Sequence, residues 1–259
     1  LKTLRREVHR HGRVFQFGTQ QRSDPNFRLA CELALNGRLG KVGKIRVSAP
    51  SGPAERTGSP TYETAPVPDG FDYDFWLGPA PQAPYTPKRV INPHWFHISD
   101  YSLGHVAGWG IHHVDIAQWG NGTELTGPVE IAGSGVFPPD DGLCDNALAW
   151  DVDLKYSNGV EMSFTSDGGN NEHGLRFEGS EGWVGNKGWS GPLEASNMDL
   201  FRRTYDPASN KIWPRPAREQ RDFLDALKAG RPPMYTAEAL HRLSTVLHLG
   251  AIAMEVGRP

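Results

Sequence analysis

The amino-acid sequence predicts an α+β fold: an open, mostly antiparallel β-sheet with helices on one face, preceded by the remnant of an α/β unit. Short segments of alternating apolar residues fill 129–184, which is typical of antiparallel strands. Two amphipathic segments, 218–228 and 237–255, predict a closing pair of helices. Residues 1–37 instead alternate helix, strand and helix, as at the end of an α/β layer.

The N-terminal elements follow from their end signals. Residues 1–12 have the pattern of the last turns of a helix, and 13–18 that of a short strand. Asp24 then provides an N-cap, and Pro25 a first-turn proline, for an amphipathic helix that stops near 36–37.

A second strand, 40–49, precedes a long segment with little regular periodicity, 50–93. Such a segment is either disordered or a functional loop packed by its own side chains. Disordered linkers seldom carry several aromatic residues together, so we predict a packed loop. The aromatic residues concerned are Tyr73, Phe75, Trp76 and Tyr85.

The sheet itself is predicted from two hairpins and one further strand. Residues 129–136 form a strand, and 147–156 alternate cleanly between apolar and polar side chains. The pair 158–159, Asn-Gly, turns the chain tightly, and 160–164 return beside the preceding strand. A further hairpin spans 175–184 and extends the sheet.

The stretch 100–119 carries most of the chemistry. As a helix, it would bring polar residues at spacings of three and four into one stripe, which predicts a face turned into a cleft. The alternative is a solvated face on which His and Asp side chains cap each other. The stripe consists of Tyr101, His105, Gly108, His112 and Asp115.

Composition excludes several function classes. The formal charge of −3, without a basic run, argues against extended nucleic-acid binding. No apolar stretch approaches the roughly 18–20 residues that cross a membrane. Cys31 and Cys144 form neither a disulfide framework nor a metal-ligand spacing. A reducing compartment is compatible with them, so we favour the cytoplasm and keep the periplasm or export as the alternative.

The catalogue of common catalytic and nucleotide-binding motifs has no match in this chain. It contains no Walker loop, no Ser nucleophile elbow and no Cys-x-x-C. It also lacks a Gly-x-Gly-x-x-Gly after a strand, so these residues predict no self-contained dinucleotide site.

Four motifs, each weak alone, are specific in their order and spacing. They are Gly-Thr-Gln-Gln-Arg-Ser at 18–23, Asp-Phe-Trp-Leu-Gly-Pro-Ala-Pro at 74–81, Trp-Gly-Ile-His-His-Val-Asp-Ile-Ala-Gln-Trp at 109–119, and Phe-Leu-Asp-Ala-Leu-Lys-Ala-Gly-Arg-Pro at 223–232. With them the chain resembles the Gfo/Idh/MocA family of NAD(P)-dependent sugar oxidoreductases. The resemblance covers the end of the family's nucleotide-binding domain and almost its whole C-terminal part.

The resemblance implies a domain division and an expectation about the cofactor. Residues 1–24 would be a remnant of the Rossmann domain, and 25–259 a substrate-binding and oligomerisation domain. The family's Gly-x-Gly-x-x-Gly and Glu-Lys-Pro motifs would lie before Leu1, and both ends of the chain look trimmed. We therefore expect NAD or NADP in the intact parent protein and no cofactor bound to this chain alone. A homo-oligomer is expected through the open sheet face, because an exposed apolar face must be covered.

The resemblance also implies a reaction. Family members oxidise a sugar or cyclitol hydroxyl, passing hydride to a nicotinamide while a general base takes the proton. The family pattern Asp-x-Gly-x-His-x-x-Asp puts its His at His112 and its last Asp at Asp115. Its first Asp falls on Gly108, so that carboxylate is absent. We predict His112 as the acid/base or hydroxyl-binding group. Gly108 leaves room for a larger substrate, a water or the His105 ring.

Further residues are predicted to line the site, each with a structural alternative. Arg22 and Gln21 alternatively tie down their loop, Asp115 holds His112 or caps a neighbour, and buried Tyr or Trp side chains commonly belong to a core. The predicted substrate-binding residues are Arg22, His97, Tyr101, His105, Trp109, His113 and Asp115, with Gln21 toward the cofactor. No metal site is predicted, because no Cys or clustered carboxylate completes the set of His94, His97, His105 and His112.

Three functions remain open. The leading hypothesis is the substrate-binding part of an NAD(P)-dependent oxidoreductase acting on a small carbohydrate, as a sugar, glycoside or cyclitol. The second is a cofactor-free or metal-assisted lyase or hydratase on a keto-sugar, using His112 and His105. The third is a non-catalytic sugar-binding or oligomerisation module.

Overall fold

A seven-stranded open sheet organises the computed structural model, which describes residues 1–52, 62–140, 142–168, 173–202, 210–211 and 218–258. The strands are β1 Val42–Ala49, β2 Glu130–Val136, β3 Ala149–Lys155, β4 Glu161–Ser166, β5 Gly174–Gly179, β6 Gly182–Lys187 and β7 Leu193–Ala195. Their order across the sheet is β2-β3-β4-β1-β5-β6-β7. β1 runs parallel to β4, and the other pairings within this sheet are antiparallel. The predicted fold class is confirmed.

The helices are α1 Lys2–Arg10, α2 Pro25–Leu35, α3 Tyr73–Leu77, α4 Pro87–Val90, α5 Gly104–Gly120, α6 Glu219–Ala229 and α7 Ala237–Val256. Short 3₁₀ turns cover Gln20–Ser23, His94–His97 and Met198–Arg202. We call α5 the central helix. Asp24 caps α2 as predicted, because its carboxylate accepts the backbone N–H groups of Asn26 and Phe27. Within the described part of the chain, no helix is long and apolar enough to cross a bilayer.

One face of the sheet is apolar and carries the helices. Leu154, Met162, Ile45 and Phe177 lie in register on four neighbouring strands, and each is at most 2% exposed. The central helix packs on β1, α7 on β2 and β3, and α2 on β6. The apolar side chains of the predicted alternating pattern are buried in this row, beneath the helices that cover this face of the sheet.

The opposite face of the sheet is polar. Its corresponding row reads Asp153, Ser163, Arg46 and Arg176, and both arginines pair with Glu178 at 2.9 Å. The expectation of a homo-oligomer through this face rested on an exposed apolar surface, and that premise is wrong for the described strands. Charged side chains can stay hydrated, so no apolar area forces this face to be covered. Pairing with another subunit stays a prediction.

The predicted strand at 13–18 is not formed. A strand needs a neighbouring backbone to pair with, and the sheet of the described residues offers none to this segment. Its side chains dock instead: Phe17 is 7% exposed and meets the Tyr235 ring edge-on at 5.9 Å, while Gln16 donates to the Glu219 carbonyl oxygen. Residues on both sides of the predicted boundary at 24/25 thus pack together, and the boundary itself stays a prediction.

The loop predicted at 50–93 packs on its own aromatic side chains in its described part, while 53–61 lie outside the described residues. Tyr73 stacks on Trp76 at 5.9 Å and meets Tyr85 edge-on at 5.3 Å. Phe75 does not join this cluster, because its side chain is 85% exposed.

Gly179, at the end of β5, provides a test of the close approach between this strand and the Leu39 backbone. A Cβ there would collide with the backbone carbonyl of Leu39, which cannot swing away as a side chain can. We expect Gly179→Ala to lower the free energy of unfolding by about 1–3 kcal/mol in urea denaturation. The matched strand variant Gly43→Ala, whose Cβ meets nothing within 4 Å, should change it by less than about 1 kcal/mol. Equal values for the two variants would contradict the close approach.

Candidate functional site

The central helix begins later than predicted, and this removes one member of the polar stripe. It starts at Gly104, whose φ of 55° lies in the left-handed region that favours glycine. Tyr101 therefore precedes the helix. Its hydroxyl accepts a hydrogen bond from Arg89 at 3.2 Å, and its ring meets Trp76 at 5.1 Å. Tyr101 belongs to the aromatic loop and not to the face that carries His112.

His112 is partly buried on the central helix. Its ring lies 4.7 Å from that of Trp189, edge to face. The Nδ1 atom is buried and has no hydrogen-bond partner among the described residues. Burial lowers the pKa of His112 below its usual 6.5, against an opposing effect of the Asp115 charge. The ring is therefore neutral at pH 7 and able to accept a proton.

The space beside Gly108 is filled by protein. A Cβ at Gly108 would collide with the Phe96 ring, Cζ foremost. The expected occupants were a larger substrate, a water or the His105 ring, so this expectation is corrected: the ring of Phe96 occupies the position. No carboxylate thus stands one turn before His112, which accounts for its unpartnered Nδ1.

His113, next in the chain, is fully buried, and its ring lies 5.7 Å from that of Trp109. Its Nδ1 lies 3.2 Å from Gln21 Oε1, and its Nε2 lies 3.1 Å from His173 Nδ1. Burial first, and then the neighbouring His173 and His112, lower the pKa of His113 to about 3. His113 is a neutral, hydrogen-bonded core residue at physiological pH.

Aromatic rings connect His112 to His113 and His173. The Trp109 ring lies 5.5 Å from that of Trp189 and 4.6 Å from that of His173. Trp189 is 37% exposed, and the loop that carries it is held by Gln21, whose Nε2 donates to the Trp189 carbonyl oxygen at 3.1 Å. We call the group of Trp109, His112, His173 and Trp189 the aromatic wall. Such a surface suits the C–H face of a sugar ring.

Arg22 and Asp115 form a buried ion pair with each other. Arg22 Nη2 and Nε donate to the two Asp115 oxygens at 2.6 and 2.7 Å, and Arg22 Nη1 donates to Glu124 at 2.6 Å. Thr19 also donates to Asp115. Burial acts to lower the pKa of Arg22, but the two carboxylates outweigh it, so that pKa is raised. These contacts favour the structural alternative for Arg22 and Asp115, in which they hold neighbouring segments together. The hydrogen bonds of Gln21 to Trp189 and His113 favour the same role for Gln21.

His97 and His105 lie together at the other end of the central helix. His105 Nδ1 donates to the carbonyl oxygens of Pro50 and Ser51 at 3.1 and 2.9 Å, so it carries a proton. His97 is 1% exposed, and its ring lies 5.2 Å from that of His105. No three His, Cys, Asp or Glu side chains of the described residues lie together as metal ligands.

The structure thus brings together His112, Trp109 and His113 from the predicted set, and separates Tyr101, His97, His105 and Arg22 from them. Three neighbours escaped prediction: Phe96, His173 and Trp189. Trp189 follows β6 in a glycine-rich turn, and His173 directly precedes β5. Both residues lie in loops, outside any helix or strand periodicity. The sequence of a loop does not show which distant residues it will contact in the fold.

The pH dependence of stability tests the burial of His113. Its pKa is about 3 folded and near 6.5 unfolded, so below pH 6.5 the unfolded chain binds a proton that the folded chain does not. This contribution is fully present above pH 6.5 and is lost as pH falls toward 3, by up to about 1.4 kcal/mol per unit. We expect His113→Gln to flatten the slope of unfolding free energy between pH 6.5 and 4.5, measured in urea. An unchanged slope would contradict the assignment.

Most of this chain is similar to a known protein family. The family described as "Oxidoreductase family, C-terminal alpha/beta domain", in the Gfo/Idh/MocA group, matches residues 31–259. None of the curated protein sequences matches the chain.

Several solved structures share the fold. GenD2 from gentamicin A biosynthesis, in complex with NAD, is 20% identical with a TM-score of 0.64, over 99% of this chain and 66% of GenD2. Levoglucosan dehydrogenase with NADH and levoglucosan is 16% identical, TM-score 0.65, over 99% and 68%. Myo-inositol 2-dehydrogenase from Lactobacillus plantarum is 16% identical, TM-score 0.56, over 98% and 67%. This chain spans about two thirds of the length of these proteins, and the likeness establishes the fold.

Proposed function

This chain belongs to the Gfo/Idh/MocA oxidoreductase family, and on that premise we propose that it is the substrate-binding part of an NAD(P)-dependent oxidoreductase. The proposed substrate carries a hydroxyl or ketone of a sugar, glycoside or cyclitol. The observation that carries the proposal is His112: a neutral, partly buried imidazole on the central helix, beside an exposed indole.

His112 has the properties of a proton acceptor. Oxidation of an alcohol requires a group that takes the hydroxyl proton, and a His with a pKa below 7 is deprotonated and ready to do so at neutral pH. In the reverse direction the same ring would return the proton to the carbonyl oxygen. Its buried Nδ1 lacks a partner among the described residues, so Nε2 is the nitrogen left to meet a hydroxyl.

The aromatic wall supports a carbohydrate as the ligand. Trp189 and Trp109 present indole surface next to His112, and a sugar ring combines C–H faces with hydroxyls at its edge. Levoglucosan dehydrogenase and myo-inositol 2-dehydrogenase, which share the fold, are named for such polyols. We therefore take levoglucosan and myo-inositol as probes.

We propose that this chain alone does not hold the dinucleotide. Gln21, predicted to face the cofactor, is 1% exposed and uses both ends of its amide on Trp189 and His113. The sequence also lacks a Gly-x-Gly-x-x-Gly after a strand, the motif that receives a pyrophosphate. We propose that the nicotinamide is held by residues outside these 259, and we derive no step through it.

Two titrations of the chain test the proposal. Calorimetry with levoglucosan and myo-inositol should give saturable binding that His112→Asn weakens about threefold to tenfold, as loss of one hydrogen bond predicts. The control His248→Asn, on the exposed side of α7, should bind like the wild type. NADH fluorescence should show no saturable binding. Tight NADH binding, or polyol binding that ignores His112, would contradict the proposal.

A further inference from the structure

His173 ends a chain of three hydrogen-bonded side chains that starts at Gln21. Gln21 Nε2 donates to the Trp189 carbonyl oxygen, so its Oε1 is the atom that faces His113 Nδ1 at 3.2 Å. His113 Nε2 in turn meets His173 Nδ1 at 3.1 Å. The Trp189 carbonyl group therefore sets the orientation of the Gln21 amide. That orientation in turn determines which ring nitrogens of His113 and His173 carry protons.

The protons along this chain can be assigned in order. An amide oxygen only accepts, so His113 Nδ1 carries the proton of the ring. His113 stays neutral, since its pKa is about 3, and its Nε2 must therefore accept from His173. His173 Nδ1 is then the protonated nitrogen, and in the neutral ring Nε2 is left bare. A buried glutamine thus determines which nitrogen of His173 is an acceptor.

His112 has no such support. Its Nδ1 has no partner among the described residues, and the Phe96 ring fills the space beside Gly108 from which a carboxylate would reach it. The tautomer of His112 is therefore not fixed by a hydrogen bond, whereas that of His173 is. Because His113 holds the His173 ring, His173 is the better oriented hydrogen-bond acceptor.

His112 and His173 both belong to the aromatic wall, and each contacts one of its two indoles. The ring of His112 lies 4.7 Å from Trp189, that of His173 lies 4.6 Å from Trp109, and the two indoles are 5.5 Å apart. The two indole planes are 78° apart, so the C–H face of a pyranose or cyclitol ring can stack on one indole while the hydroxyls at its edge face the imidazoles.

We propose that His173 is a second hydroxyl-binding residue of the site, accepting a hydrogen bond at Nε2 from a sugar or cyclitol bound at the aromatic wall. The inference rests on the proposed function, because it requires a polyol at the aromatic wall. It adds a contact that none of the four family motifs contains, and it assigns Gln21 and His113 a positioning role through the tautomer of His173.

Histidine ring NMR of the ¹⁵N-labelled chain tests the free state. Long-range proton–nitrogen spectra at pH 7.5 distinguish protonated from bare ring nitrogens, and single His→Phe variants assign them. We expect Nδ1–H with bare Nε2 for both His113 and His173. A His113 ring protonated at Nε2 would overturn the proposal, because His173 could then no longer donate to it from Nδ1.

Titration with levoglucosan or myo-inositol tests the bound state. We expect the His173 Nε2 resonance to move with polyol while that of His113 stays. His173→Phe should raise the polyol dissociation constant about threefold to tenfold. His173→Gln should restore most of the affinity, because its amide nitrogen can donate to His113 while its oxygen accepts from the hydroxyl. His248→Phe serves as the surface control.

The outcomes separate this inference from the function on which it rests. A polyol that moves His112 but leaves His173 unmoved overturns the role of His173 alone. A polyol that moves neither ring overturns both proposals. If His173→Phe fails to fold, the wild-type titration and the His173→Gln variant still decide the question.

Discussion

Replacing Arg22 with Met is expected to lower the free energy of unfolding by about 3–5 kcal/mol. Arg22 and Asp115 are 1% and 2% exposed, and Arg22 also holds Glu124 at 2.6 Å. Removing the cation leaves the buried Asp115 carboxylate and the Glu124 carboxylate, 17% exposed, without their counter-charge. An uncompensated buried charge is the costly part of breaking such a pair. Glu124 already has a raised pKa, mainly from burial, so it is the carboxylate that should protonate in the variant.

Urea unfolding at pH 7 measures this loss. Arg46→Met is the matched control, since Arg46 pairs with Glu178 on the polar sheet face with 55% of its side chain exposed. An exposed pair contributes only about 0–1 kcal/mol, so this variant should stay near the wild type. If Arg22→Met also stays within about 1 kcal/mol, the ion pair is not a structural tether, and the alternative of an Arg22 that faces a ligand gains support.

Under the proposed function, replacing His112 with Asn is expected to reduce polyol-dependent NAD⁺ or NADP⁺ reduction about 10²–10⁴-fold in the proposed parent oxidoreductase. Asn keeps hydrogen-bonding capacity and much of the packing but cannot take a proton at neutral pH. The loss should therefore appear in kcat more than in KM, since binding to the aromatic wall is largely kept.

The pH profile of the same assay separates proton transfer from a structural effect. Because burial lowers the pKa of His112 below 6.5, the wild-type rate should fall only below about pH 6.5 as the ring is protonated. His112→Asn should lose this acidic limb, and His248→Asn should retain it. A variant with wild-type kcat and an unchanged limb would contradict the acid/base assignment. Polyol turnover that needs no nicotinamide would instead favour the lyase alternative.

Contacts between residues close in sequence can be predicted for this site, whereas contacts between residues far apart in sequence cannot. His112 follows from a local pattern, because residues three and four apart share a helix face. The Arg22–Asp115 pair joins residues 93 positions apart, and no spacing rule relates them. Both residues were predicted as ligand contacts with a structural alternative. The sequence does not choose between the two, because a polar residue in a cleft and a polar residue satisfied in a core look alike in sequence.

The sequence by itself determined most elements of this protein: the alternating strands of the sheet, the capped helix α2, and a central helix that carries histidines. These depend on neighbours within a few residues, where periodicity and capping chemistry act. The sequence did not determine 13–18, where the predicted strand is not formed. The tertiary structure alone decided which polar groups neutralise one another, that Phe96 fills the space at Gly108, and that His173 and Trp189 stand beside His112. Those outcomes follow from packing and from the cost of burying unpaired charge, which act between residues far apart in the chain.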